Sequence, residues 1–355
     1  MRGIGWMLAC LILWPSAAGA RSPIKSDEEV VFFPTCAYRA ADAWVVPVHG
    51  WIFEPEEDSH WRAELSEALG DILDLEASQA ERALFEKRVR WFLVDNERGK
   101  RIPVPIGGQV YRTAASAPNG HFESAFTIPA ARLGAKAGAF VDFEAVTRAG
   151  DSRHFRGRFQ LVGPRGIMVI SDIDDTIKVT EVLDRRAMIR NTFYRPFRAV
   201  PGMAAAYRRW AEQGAVLFYL SASPWQLWAD LGAFLESAGF PPGGVSLRHF
   251  RLKDSSLVDF LSSSADYKAE TIRLLLARFP QRRFVLVGDS GEKDPEIYGG
   301  IVRAHPQRVQ HVFIRSVPGS ELNAERWAKA FEGVAKERWT LFDDPTRLAG
   351  LKLSK

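Results

Sequence analysis

Three carboxylates fall within four residues at Asp172-Ile173-Asp174-Asp175, directly after the apolar run Ile167-Met168-Val169-Ile170. Like charges at that density repel unless a divalent cation shares them, and hard carboxylate oxygens suit Mg²⁺. Asp172 and Asp174 are two apart, so an extended backbone turns both to one side. In that arrangement one is placed to attack phosphorus while the other manages the leaving-group proton. A turn followed by a helix cap accounts for one aspartate here, but not for the cluster.

Three further segments offer compatible chemistry. Val216 to Leu220 is apolar and ends in Ser221-Ala222-Ser223-Pro224-Trp225. Ser223 before Pro224 reads as a helix N-cap followed by proline at the first helical position. Ser221 then lies between a strand end and a helix start, where its hydroxyl and nearby amides suit phosphate oxygens. Lys268 opens a helical pattern carrying Ile272, Leu275, Leu276 and Phe279. A lone lysine is ordinarily a surface residue, and a cation at a helix start opposes the dipole. It makes sense where it neutralises a phosphate and a nucleophile. Last comes Gly288-Asp289-Ser290-Gly291-Glu292-Lys293-Asp294-Pro295, again after an apolar run. Asp294 reads as either a helix cap or a further cation ligand, whereas Asp289 has no helix start to serve.

Two compositional halves must position these groups. From Gly163-Pro164-Arg165-Gly166 onward, short wholly apolar runs alternate with helical patterns at Gly202–Gln213, Pro224–Ser237 and Pro295–Ala304. Continuous apolar strands separated by helices mark a buried parallel sheet with helices on both faces. That is a three-layer α/β sandwich, whose functional groups gather beyond the carboxyl ends of the strands. The front half, Val30 to Val162, reads instead as short strands at sandwich spacing. Its strand candidates are Ala43–Phe53, Arg88–Val94, Val104–Thr113, Gly120–Ile128, Ala139–Thr147 and His154–Leu161. Trp61, Leu65, Leu69, Ile72 and Leu73 recur at helical spacing, which predicts a helix over 60–86. His49, His121 and His154 read as solvated or structural residues rather than metal ligands.

Together the four segments resemble the haloacid dehalogenase superfamily of aspartate-nucleophile phosphatases. Within it they are most similar to the phosphatidate phosphatase catalytic domain of fungal actin-patch proteins and bacterial homologues. Ser171-Asp172-Ile173-Asp174-Asp175-Thr176-Ile177-Lys178, Arg195-Pro196-Phe197, Val200-Pro201-Gly202-Met203, Leu220–Trp225, Phe250–Asp254 and Val287–Glu296 carry the resemblance, over roughly 164–320. It implies that Asp172 is the nucleophile, forming an aspartyl-phosphate, and that Asp174 is general acid and then base. It also implies that Asp172 and Asp289 hold Mg²⁺ by side chain and Asp174 by its main-chain carbonyl, with Asp294 in or near the coordination shell. Thr176, Ser221 and Lys268 would hold the transferring phosphoryl group. The implied substrate is phosphatidate at a membrane surface, giving diacylglycerol and phosphate. A phosphomonoesterase of other or broad specificity remains open, as does a non-catalytic phosphate- or lipid-binding module.

Between Thr176 and Ser221 there is room only for a small insert around Val182–Arg198, and Ser221 to Lys268 is also too short for a large cap. A small or absent cap suits a large or surface-bound phosphomonoester. The start of the chain reads as an export signal: Arg2, an apolar stretch Ile4–Trp14 and the small residues Ala18-Gly19-Ala20. Export to the periplasm or outside the cell follows, with cleavage after Ala20 leaving Cys36 as a small buried hydrophobe. Glu321 to Glu337 reads as an amphipathic helix whose Trp327, Ala330, Phe331 and Val334 pack on the core. The expected units are thus 1–20, a β-rich accessory unit 27–163, a phosphatase-like unit 164–320, and a C-terminal helix and tail 321–355. Hydrophobic residues make up 46% of the 355 and charged residues 25%, which excludes extensive disorder. Basic and acidic residues, 47 and 43, are interleaved, so the net +4 carries no nucleic-acid-binding tail. Two cysteines exclude a disulfide scaffold.

Overall fold

The computed structural model describes residues 22–55, 76–250, 265–320 and 324–351. The export segment 1–20, most of the 60–86 helix, 251–254 of the quoted motif and the first residues of the C-terminal helix lie outside them.

The front half builds a seven-stranded mixed sheet. Its strands are β1 (Glu29–Phe33), β2 (Thr35–Ala40), β3 (Ala43–Glu54), β4 (Asp95–Asn96), β7 (His121–Pro129), β8 (Phe140–Glu144) and β9 (Arg156–Val162). The Val104–Thr113 candidate is a hairpin, β5 (Pro103–Ile106) and β6 (Gln109–Arg112), which forms its own two-stranded ribbon. The front half is therefore one large sheet faced by a small ribbon, not a sandwich of two comparable sheets. Val104 and Ile106 of the ribbon share a core with Val46, Val48, Ile52, Phe122 and Phe159 of the sheet.

The strand expected at Arg88–Val94 is instead the end of helix α1 (Gln79–Val89) and a following 3-10 turn. Ser78 and Glu81 cap α1 reciprocally, each side chain taking the other's backbone N–H. Phe85 and Val89, one turn apart, are the apolar residues it buries, together with Arg88. That helical pair outweighs the short alternation of Val89, Trp91 and Leu93 that suggested a strand. A four-residue helix, α2 (Ala130–Leu133), follows β7.

The second half is a six-stranded sheet, parallel throughout. Its elements are β10 (Ile167–Ser171), α3 (Arg185–Ile189), α4 (Met203–Glu212), β11 (Val216–Pro224), α5 (Trp228–Ser237), β12 (Gly243–Arg248), α6 (Ala265–Arg278), β13 (Arg283–Asp289), α7 (Asp294–Ala304), β14 (Val309–Arg315), α8 (Ala324–Ala330) and β15 (Trp339–Phe342). The order in the sheet is β12-β11-β10-β13-β14-β15. Both faces are covered, which is why β10 is apolar without alternation. Ile167 and Val169 enter a core with α4 and α5, while Met168 and Ile170 enter a core with α6, α7 and α8. Each such side chain, when fully buried, contributes about 1.5–3 kcal/mol. The chain runs outward from β10 to β12, then returns to place β13 against the other edge of β10. Where the order reverses, two strand ends open side by side, and Asp172 and Asp289 stand there.

The space between β10 and β11 holds the small insert expected from the spacing: α3 and a π-helical turn, Arg190–Tyr194. Helix α1 packs on it, with Phe85 stacked on Tyr194 at 4.5 Å and Arg88 donating to the carbonyls of Thr192 and Arg195. The helix expected from Pro224 begins four residues later. β11 continues through Pro224, and a 3-10 turn intervenes before α5. At the C-terminal end, Trp327, Ala330 and Phe331 are buried, as their spacing suggested, and α8 lies so close to α7 that only glycine fits at 299. Cys36 is buried, and its thiol is pushed up to about 12 by that burial, so it behaves as a small hydrophobe.

Candidate active site

Asp172 leaves the end of β10 almost wholly buried. Its Oδ1 lies 2.8 Å from Lys268 Nζ, and its Oδ2 accepts from Thr176 Oγ1 at 3.0 Å. Lys268 reaches it from the first turn of α6 and has no solvent exposure. The same ammonium stands 2.8 Å from Asp294 Oδ1 and 2.8 Å from Glu292 Oε2. Asp172, Asp289 and Asp294 each bring a carboxylate oxygen within 4.8 Å of the others. The sequence segments expected to meet therefore do meet. Glu292 is an additional member that sequence reasoning passed over.

Asp294 is not the cap of α7. Lys293 holds that position without a side-chain bond, and the Asp294 carboxylate turns inward to Lys268 and to the amide of Asp289 at 3.3 Å. Asp289 Oδ1 accepts from the amides of Gly291 (2.6 Å) and Glu292 (3.1 Å). Its Oδ2 is buried with no hydrogen-bond partner. An orphaned carboxylate oxygen in the interior is costly unless something cationic completes it. Beside two more carboxylates, it fits a small hard cation such as Mg²⁺. Burial pushes the Asp172 and Asp289 carboxyls well above the usual range, and the neighbouring acids push the same way against Lys268. Burial alone would lower the Lys268 ammonium, but Asp172, Asp294 and Glu292 together raise it well above its ordinary value.

Asp174 faces a different set. Its Oδ1 lies 2.8 Å from Lys178 Nζ and accepts from Thr180 Oγ1 at 2.9 Å. Its Oδ2 accepts from Ser221 Oγ at 2.8 Å and Ser223 Oγ at 2.9 Å. Burial would raise this carboxyl, but the Lys178 charge and hydrogen bond, with those from Ser221 and Ser223, hold it well below the usual range. The Asp174 main-chain carbonyl accepts from the Thr176 amide at 2.7 Å. Ser221 thus lies on Asp174 rather than beside Asp172, and Ser223, expected to cap a helix, is a second donor to Asp174. Lys178 also sits 4.8 Å over the Phe197 ring, whose centroid is 3.9 Å from the Arg88 guanidinium. This explains why the Arg195-Pro196-Phe197 segment belongs with the aspartates.

Asp175 braces the turn that holds all of this. It has φ +48, and its carboxylate accepts from the amides of Thr180, Glu181 and Val182 at 2.6–2.8 Å.

Residues 167–316 match the family model described as phosphatidate phosphatase APP1, catalytic domain. Phosphatidate phosphatase APP1 of Saccharomyces cerevisiae is 38% identical over 163 residues, covering 45% of this chain and 27% of that protein. An uncharacterized protein of Schizosaccharomyces pombe is 33% identical over 156 residues, covering 43% of this chain and 25% of its own. The chain spans about a quarter of the length of these curated relatives. The match covers β10 to the end of β14 and so contains every residue of the two aspartate constellations, which is the part of this chain that is similar to the phosphatidate phosphatase APP1 catalytic domain.

Proposed function

We propose that this chain is a phosphatidate phosphatase of haloacid dehalogenase type, working through an aspartyl-phosphate on Asp172. The observation that carries the proposal is the convergence of Asp172, Asp289 and Asp294 on one place, with Lys268 on the nucleophile. Asp172 attacks phosphorus, the bond to the diacylglycerol oxygen breaks, and Asp174 supplies that oxygen with a proton. Asp174 then takes a proton from water as the water attacks the aspartyl-phosphate, releasing phosphate and restoring Asp172. Lys268 and Thr176 hold charge and orientation at the nucleophile. Ser221 and Ser223 orient Asp174 in the resting site, and Ser221 reaches the phosphoryl oxygens once substrate enters. Asp172, Asp289 and Asp294, with the Asp174 carbonyl, would hold Mg²⁺, which would neutralise charge developing on the phosphoryl oxygens. At rest Asp174 is an anion paired with Lys178, so before it can serve as the acid that pair opens and the carboxylate takes up a proton, from solvent or from the phosphatidate monoanion as it enters. The small insert at α3 suits a substrate presented at a membrane surface. Among the described residues no helix is long and apolar enough to cross a membrane. Export, resting on residues 1–20 alone, belongs to the same proposal.

Phosphate release from phosphatidate vesicles, with and without Mg²⁺, tests this reading. Asp172→Asn should lower turnover roughly a thousand-fold or more while Mg²⁺ is present. Turnover surviving that change removes the mechanism. Turnover of soluble phosphomonoesters but never of phosphatidate removes only the lipid assignment and favours a phosphomonoesterase of other specificity. Binding without any turnover favours a non-catalytic module.

A further inference from the structure

A second constellation lies away from the aspartates, where the front sheet meets the edge of the parallel sheet. His49 on β3 stands directly opposite Glu123 on β7. His121 is two residues back along β7, so the pleat turns His49, Glu123 and His121 to one face. His249 follows the end of β12 and meets them from the parallel sheet. His49 Nε2 and His121 Nδ1 are 3.1 Å apart, and one ligand nitrogen from each of the three histidines lies within 4.8 Å of the others. Glu123 Oε1 stands 3.9 Å from His49 Nε2 and 3.7 Å from His249 Nε2. Aromatic packing fixes the two inner rings: His121 stacks on Trp51 with centroids 5.6 Å apart, and His49 meets Trp225 edge-on at 4.6 Å.

We propose that His49, His121 and His249, with Glu123 completing the set, bind a divalent transition ion of the zinc class that clamps the front sheet to the catalytic sheet. Three imidazoles and a carboxylate suit Zn²⁺, whereas the oxygen-only aspartate site suits Mg²⁺. With Zn–N near 2.0–2.1 Å, neighbouring nitrogens in a tetrahedral site stand about 3.4 Å apart. The inner pair is already close to that spacing. The His249 side chain is 44% exposed and meets the His121 ring edge-on, with centroids 4.5 Å apart. Ligand histidines must be neutral. Burial pushes the His49 imidazole down to about 3 and His121 lower still. A groove bordered by His49, Glu123, Ser246, His249, Tyr267 and Arg278 gives an ion a way in. The reading of His49 and His121 as merely structural holds for each strand alone and changes once His249 joins them. His154, by contrast, pairs with Glu144 at 2.6 Å on the surface.

The test uses the full chain, stripped with EDTA, saturated with Mg²⁺ and then titrated with Zn²⁺. Bound zinc is counted by elemental analysis after desalting, and Co²⁺ is titrated in parallel. One zinc equivalent, a higher melting temperature and the visible absorption of four-coordinate Co²⁺ are expected. All three should weaken by roughly a hundred-fold in affinity in His249→Ala and His49→Ala, and persist in Asp289→Asn. Zinc retention unchanged in both histidine variants, or no zinc retained by the parent chain, overturns the proposal. His249→Ala alters a half-exposed side chain, so its melting curve in EDTA should match the parent even if His49→Ala does not fold.

Discussion

Lys268 Nζ lies 2.8 Å from Asp172 Oδ1 and an equal 2.8 Å from Asp294 Oδ1, in full burial. One ammonium therefore ties the end of β10 to the start of α7, and α6 is the element that brings it. The proposed nucleophile is held by the same contact that orders Asp294, one of the proposed cation ligands, so its geometry and the fold's stability are linked.

Lys268→Met exposes that link. It keeps the volume but leaves the buried Asp172 and Asp294 and the half-buried Glu292 without their counter-ion, a loss of about 3–5 kcal/mol. The sign of the pH dependence follows from the raised carboxyls. A folded-state pKa above the unfolded value adds stability at low pH and removes it as pH rises through the folded value. Asp172 and Asp289 are already raised, and losing Lys268 raises them further. The deficit measured by urea unfolding in EDTA should therefore widen from pH 5 to pH 8. Mg²⁺ should recover more of it at pH 8, where it no longer competes with protons. A deficit that stays constant with pH would mean that Lys268 contributes packing only.

Lys178 and Asp174 make the complementary pair. Asp174 is held below its ordinary range, with Lys178 the largest influence in that direction. Lys178→Met raises the Asp174 pKa and so enlarges the fraction that carries a proton above neutrality. With Asp174 as the acid in phosphoryl transfer, the alkaline limb of kcat/KM on phosphatidate moves to higher pH. Because Asp174 starts below the ordinary carboxyl range, the ratio of variant to parent rates climbs with pH through the acid range, between the parent and the variant pKa of Asp174, and stays level and above one at neutral and alkaline pH. Movement of the acidic limb instead would show that only ionised Asp174 serves that step.

Much of this site was legible because its chemistry is local. Asp172, Asp289 and Lys268 each follow a strand end or helix start whose apolar run is visible in the chain, and the doubly wound order then brings them together. What escaped notice depended on contacts across the fold. Glu292 is two residues before Asp294, but nothing nearby announces that Lys268 will reach it. His249 lies more than a hundred residues from His121, and only the docking of two sheets joins them. Ser223 is a different case. Pro224 suggested a helix start, yet Ser221 and Ser223 are spaced as same-side residues of a strand, and β11 continues far enough to aim both at Asp174. The Arg88–Val94 alternation misled for the opposite reason, because the cap at Ser78 had already committed the segment to helix.

Asp175 separates two costs that are usually entangled. It holds three amides with its carboxylate and sits at φ +48, which side chains other than Asn and Asp rarely tolerate. Asp175→Asn keeps the φ preference and one carbonyl acceptor, so it should lose the least stability. Asp175→Gly keeps the backbone freedom but orphans the amides of Thr180, Glu181 and Val182, each about 1–3 kcal/mol where water cannot replace the carboxylate. Asp175→Ala loses the acceptors and adds left-handed strain of about 1–2 kcal/mol. Urea unfolding should therefore rank the variants Asn, Gly, Ala in falling stability, with the gap between Gly and Ala measuring the backbone term alone. Because Thr180 donates to Asp174, turnover should fall in the same order. Equal stability of the Gly and Ala variants would show that the turn relaxes out of the left-handed region without penalty, and that the carboxylate alone holds the loop.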